Sequence, residues 1–169
     1  MLFVLFLKYA TRSATLTRHN NTMQFQLHIN NNGAGYEGSL KDLMKHGEGK
    51  QTYADGSVYV GNWKEDKKHG FGKYTYHDGR VYEGHWKDGE KRGWGEQTYA
   101  DGEVYEGNWK YGRLHGWGKK TYADGRIYVG NWKYDKKHGK GKMTYADGRI
   151  YIGNWKDDKK HGKGKIYLC

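Results

Sequence analysis

Apolar and polar residues alternate along most of this chain in short runs that return every 23 residues. In Val58-Tyr59-Val60-Gly61-Asn62-Trp63, Tyr59, Gly61 and Trp63 fall on one side and Val58, Val60 and Asn62 on the other. That two-residue period is a strand signature. A second run, Gly72-Lys73-Tyr74-Thr75-Tyr76-His77, is rich in the Tyr and Thr that suit a pleated surface. After it comes Asp-Gly: Asp55-Gly56, Asp78-Gly79, Asp101-Gly102, Asp124-Gly125 and Asp147-Gly148. A two-residue type I′ turn needs φ > 0 at both central residues, and Asp-Gly supplies that, so the pattern predicts a hairpin closed there. The other connection is longer, as in Asp88-Gly89-Glu90-Lys91-Arg92-Gly93. Strands are expected near 36–41 and 49–54, recurring with the period.

Each copy begins at a tyrosine: Tyr36, Tyr59, Tyr82, Tyr105, Tyr128 and Tyr151. Five full copies cover 36–150 and a partial copy covers 151–169. Glycine falls at positions 3, 12 and 14 of each copy and at position 21 of the full ones. Glycine weakens an ordinary strand, so those at positions 3 and 14 are read as flat places on which an aromatic ring lies. The expected fold is all-β, a single-sheet antiparallel meander of stacked hairpins forming an elongated twisted ribbon. Two strands per copy at about 4.8 Å give a rise near 10 Å. Its core is an aromatic ladder of Tyr59, Trp63, Tyr82, Trp86, Tyr105, Trp109, Tyr128, Trp132, Tyr151 and Trp155. Residues 1–22 read as a flexible tail, untargeted in the favoured reading, with a signal or transit peptide as the alternatives. Residues 23–35 read as a degenerate half-repeat capping the array, because Met23, Phe25, Leu27 and Ile29 alternate.

Composition changes the picture in two ways. Hydrophobic residues are only 35% of the 169, so a thick aliphatic core is excluded, but the aromatic fraction of 16% argues against disorder. The formal net charge is +11, and it is uneven: residues 128–169 hold eleven Lys and Arg against four acids. Lys136, Lys137, Lys159 and Lys160, read as loop residues, are the candidate contacts with an anionic surface. The single cysteine, Cys169, forms no internal disulfide, which fits a reducing, cytoplasmic setting.

The pattern Tyr-[Glu/Val/Ile]-Gly-Asn-Trp followed by His-Gly-x-Gly and a downstream Asp-Gly resembles the membrane occupation and recognition nexus (MORN) repeat. The fourth copy, YEGNWKYGRLHGWGKKTYADGRI, carries every landmark. Leu40 stands where the others have Trp, and Arg92 where they have His. The resemblance implies an elongated β-ribbon that scaffolds partners, dimerises or sits near membranes or cytoskeleton, with no chemistry of its own.

Candidate chemistry is thin. His46, His69, His115, His138 and His161 share one repeat position, about 10 Å apart between copies. Zinc holds nitrogens at about 2.0–2.1 Å, so stacked copies cannot share an ion. Gly141-Lys142 lacks the following Ser or Thr and the helix of a phosphate loop. No catalytic, cofactor or metal residues are assigned. The favoured function is a non-enzymatic scaffold for a protein partner. The alternatives are a peripheral module for anionic phospholipids, and the repeat region of a larger enzyme such as a phosphatidylinositol phosphate kinase or lysine methyltransferase. A homodimer fits the resemblance. Nucleic acid is not expected, because the rings are needed for packing.

Overall fold

A computed structural model describes residues 34–168 in full and the backbone of residues 12–19 and 22–29. Among the described residues every element is a strand. In chain order these are β1 (Arg12–His19), β2 (Thr22–Ile29), β3 (Gly35–Lys41), β4 (Met44–Thr52), β5 (Val58–Lys64), β6 (Lys67–Thr75), β7 (Val81–Lys87), β8 (Glu90–Thr98), β9 (Val104–Lys110), β10 (Arg113–Thr121), β11 (Ile127–Lys133), β12 (Lys136–Thr144), β13 (Ile150–Lys156) and β14 (Lys159–Tyr167). Strand order in the sheet is the order of the chain. The chain divides into two compact units, Met1–Val81 with Trp86–Gly89, and Tyr82–His85 with Glu90–Cys169.

The first unit begins earlier than the sequence suggests. Residues 12–19, read as part of a flexible tail, form β1 and pair antiparallel with β2 from Arg12↔Ile29 to His19↔Thr22. The run Arg-Ser-Ala-Thr-Leu-Thr-Arg-His alternates and is rich in β-branched Thr, which suits a strand beside the apolar-patterned β2. β2 then pairs with β3 through Leu27↔Tyr36. The remainder of the 1–22 tail, residues 30–33 and Cys169 lie outside the described residues.

The two kinds of turn exchange roles relative to expectation. At Asp-Gly only the glycine has positive φ (85° at Gly56), and the loop has three residues. Gly56 N–H donates to the Tyr53 carbonyl at 3.0 Å and Tyr53 N–H to that of Ser57 at 2.8 Å. This is the three-residue hairpin loop, a type I turn followed by a left-handed glycine. Asp55 Oδ1 accepts the Ser57 N–H at 2.9 Å, so the aspartate is chosen for its side chain rather than for αL tolerance. The two-residue type I′ turns lie at the other end of each hairpin. There φ is positive at both residues: Asp42 and Leu43, Glu65 and Asp66, Asp88 and Gly89, Tyr111 and Gly112, Tyr134 and Asp135, Asp157 and Asp158.

The second strand of each copy consequently starts five residues earlier than expected, at Met44 rather than 49. A bulge accommodates the extra length. Register shifts occur between Gly61 and Trp63 in the first unit and between Gly130 and Trp132 in the second. The glycine at position 12 sits at φ 62° in Gly70 and 64° in Gly139, the left-handed geometry that a glycine bulge requires.

Glycines at positions 3 and 14 do what the pattern implies. Gly61 pairs with Gly72, and a Cβ on Gly72 would lie 2.6 Å from Tyr59 Cζ. Each ring therefore lies on the glycine pair of its own copy, and its hydroxyl donates to the backbone carbonyl at position 4 (Tyr59 Oη to Asn62, 2.9 Å; Tyr105 Oη to Asn108, 3.0 Å). Each Trp indole reaches back one copy: Trp63 Nε1 donates to Gly49 at 3.2 Å, Trp86 to Gly72 at 3.0 Å and Trp109 to Gly95 at 3.1 Å. Rings of successive copies meet edge-to-face. In the first unit Tyr59 lies 5.0 Å from Trp63 and 5.5 Å from Trp86; in the second Tyr105 lies 5.3 Å from Trp109 and 5.6 Å from Trp132. Tyr59, Tyr82, Tyr105 and Tyr128 are fully buried. The ladder is the core, and one polar anchor and one ring pair per copy carry it from repeat to repeat.

Candidate protein-interaction surfaces

Three surfaces surround that ladder. The first is a row of lysines at repeat position 10 whose ammonium groups fold over the ladder rings. Lys45 Nζ lies 4.7 Å from the Trp63 ring centroid, Lys91 4.5 Å from Tyr82, and Lys160 4.5 Å from Tyr151. Lys45 and Lys91 also donate to the amide oxygens of Gln51 and Gln97. Lys68 has Tyr74 in place of that glutamine, and its ammonium meets the Tyr74 and Trp86 rings at 4.4 Å each. Burial drives its pKa down to about 8. Burial also pushes the ladder phenols up, Tyr36 to about 12 and Tyr59, Tyr105 and Tyr128 further.

The second surface is the basic hairpin edge. Lys136, Lys137, Lys159 and Lys160 do not lie on loops; they open β12 and β14, directly after two-residue turns. Nor do they form one set. Lys136 and Lys159 are exposed, and each faces another lysine across its hairpin, Lys133↔Lys136 and Lys156↔Lys159. Lys137 belongs to the inward row: its side chain is 13% exposed, 3.9 Å from Asp158 and 5.2 Å from the Trp155 ring. Lys160 also lies over rings, Tyr145 and Tyr151, but in the last strand it is itself exposed.

The third surface was not singled out in the sequence. Five of the seven tryptophans are ladder members, about 5% exposed; Trp94 and Trp117 are each 49% exposed. Both occupy position 13, next to the glycine that underlies a tyrosine ring, so alternation turns them to the opposite side of the sheet. Trp94 is paired with Asn108 and Trp117 with Asn131. The two rings lean together across β9 and stack, centroids 6.1 Å apart and planes 16° apart. Phe71, half-exposed in the first unit, holds the same position. The signal was available: Phe71, Trp94 and Trp117 are large aromatics at one repeat position where other copies carry Glu48, Lys140 and Lys163.

On the same face, Glu96 is directly opposite Glu106, and Glu106 is opposite Lys119, with Nζ 3.3 Å from Oε2. Among the described residues no cluster of three His, Cys, Asp or Glu side chains is arranged to hold a metal, and no helix is long and apolar enough to cross a membrane.

The MORN repeat matches six times, over residues 36–58, 59–79, 82–104, 105–125, 128–148 and 151–168. The chain belongs to the MORN repeat family. No curated protein matches it. Among solved structures it is similar to the SAS-4 (dCPAP) TCP domain of Drosophila melanogaster in complex with a proline-rich motif of Ana2 (dSTIL). The identity is 12%, over 92% of this chain and 90% of that one, with a TM-score of 0.51. It also matches the TCP10 domain of Danio rerio CPAP, at 14% identity over 93% of this chain and 76% of that one, with a TM-score of 0.47. At 12% identity, what the chain shares with the fly domain is the fold.

Proposed function

We propose that this MORN protein is a non-catalytic scaffold that docks an extended segment of another protein on the face carrying Trp94 and Trp117. The stacked, half-exposed indole pair carries the reading. Large exposed aromatics on a folded sheet mark interaction sites, and Trp supplies wide contact area at low entropic cost. The fly TCP domain, which shares the fold, is described in complex with a motif of another protein, which fits a binding role for such a sheet. The test is affinity capture with the full chain and with Trp94→Ser/Trp117→Ser, each verified as folded by circular dichroism. Partners held by the wild type and lost by the double variant support the proposal; an unchanged set refutes it.

A second reading has its own observation. Lys133, Lys136, Lys156 and Lys159 form two like-charged cross-strand pairs at equivalent edges, a costly arrangement in isolation. Anionic lipid headgroups would relieve it, at about 1 kcal/mol per lysine near the surface. Sedimentation with phosphatidylserine-containing vesicles at low and high salt tests this. Lys136→Glu/Lys159→Glu removes binding if the edge is responsible, and absence of binding at low salt ends the reading.

A further inference from the structure

We infer that the Trp94–Trp117 face selects an arginine side chain of its partner, stacked on the indoles and forked to the Glu96 carboxylate. The inference rests on the docking role proposed above and names what that surface recognises. Glu96 is exposed on β8, two residues beyond Trp94 and therefore on the same side of the sheet. Its cross-strand neighbour is Glu106. Like charges directly opposite each other destabilise a sheet. Glu106 is neutralised by Lys119, whereas among the described residues Glu96 forms no ion pair. Of the charged groups beside the indole pair, Glu106 and Lys119 neutralise each other, and Glu96 is left to meet a cation.

The choice of arginine over lysine follows from shape. Near-parallel indoles present broad electron-rich faces, which a planar guanidinium covers while its N–H fork meets a carboxylate; an ammonium is a point charge without that plane. The chain already uses this combination internally, in the same unit. Arg126 Cζ lies 4.9 Å from the Tyr122 ring with Nε 2.7 Å from Asp124 Oδ2. Arg149 lies 5.5 Å from the Tyr145 ring with Nε 2.7 Å from Asp147 Oδ2. Each of those pairs places a ring and a carboxylate two residues apart, the separation of Trp94 and Glu96.

The test uses the full chain, isotope-labelled at nitrogen, and follows the indole N–H signals by NMR. Two probes are titrated: the blocked pentapeptide Gly-Thr-Arg-Thr-Gly and the same peptide with neutral citrulline replacing arginine. The expected result is movement of the Trp94 and Trp117 signals, with the other five fixed, and affinity for the arginine peptide about tenfold or more above that for citrulline. Glu96→Gln, an exposed substitution whose fold is checked on the five ladder signals, should lower that affinity about tenfold. Equal affinity for the two peptides at Trp94 and Trp117 overturns the arginine inference while leaving the docking surface standing. An arginine peptide that moves neither signal, or binding unchanged in Glu96→Gln, also overturns it.

Discussion

Trp109→Ala and Trp117→Ala remove the same side chain from adjacent strands of one unit, and they should differ greatly in cost. Trp109 is 5% exposed, with Tyr82 at 5.2 Å and Tyr105 at 5.3 Å, both edge-to-face. Its indole N–H donates to Gly95 at 3.1 Å, the polar anchor between copies. Truncating a buried Trp costs about 3–5 kcal/mol, including the cavity it leaves. The two ring pairs, at roughly 0.5–1.5 kcal/mol each, and the orphaned carbonyl place this site at the upper end of that range. Trp117 is 49% exposed and stacks on one partner, so its loss should cost about 1 kcal/mol or less. Urea denaturation followed by far-UV circular dichroism measures both. Because repeats contact only their neighbours, Trp109→Ala should also broaden the transition as the copies flanking it uncouple. A Trp109→Ala midpoint within error of wild type, or a larger loss for Trp117→Ala, would refute the assignment of core and surface.

Four further outcomes are expected. Gly118→Ala places a methyl 2.6 Å from Tyr105 Cζ and should destabilise by about 1–3 kcal/mol. Gly102→Asn, at φ 85° with no atom within 4 Å of a new Cβ, should be close to neutral in thermal melts, since Asn tolerates the left-handed region. Asp135→Gly keeps the turn but deletes the 2.8 Å bond from Leu114 N–H to Asp135 Oδ1, costing about 0.5–1.5 kcal/mol in urea; Asp135→Ala adds backbone strain at φ 71° and should cost more. The protein should unfold in alkali. Burial raises the ladder phenols above their ordinary 10, so the folded chain holds protons that the unfolded chain releases. Their contribution is fully present below pH 10 and is lost above it. Lys68, lowered to about 8, opposes this between pH 8 and 10.5, where the unfolded chain binds more protons. Full tyrosinate absorbance reached only together with loss of ellipticity confirms the order; ionisation of all sixteen tyrosines near pH 10 with the sheet intact refutes it.

The repeat, its strands, its fold and its aromatic ladder were legible because each depends on spacing along the chain. A 23-residue period fixes which rings meet, and Gly at positions 3 and 14 is the local trace of a tyrosine lying on the backbone. The exchange of turn types was not legible. Asp-Gly fits a two-residue turn locally, but the bulge at position 12 lengthens the second strand to the residue after position 8. That leaves only two residues, such as Glu65 and Asp66, to close the hairpin. The position-8 aspartate shows why spacing was insufficient. Its tolerance of positive φ can be read in the sequence, but Asp66 Oδ1 accepting Lys45 N–H at 2.8 Å, a bond to the preceding copy, exists only once copies are stacked.

The same division separates the surfaces. The sequence marks lysines at positions 9 and 10 as one basic pair, and the pleat divides them. Lys136 goes to solvent, whereas Lys137 lies over Trp155. Composition counts seven tryptophans as packing material, and the pleat sends Trp94 and Trp117 to the opposite side. A one-residue step along a strand changes the face, and only registered neighbours decide which face is the core. The sequence by itself determined the family, the period and the ladder, because these are properties of a single repeat. The tertiary structure decided which cations and rings stay available to a partner, because that depends on what neighbouring copies cover.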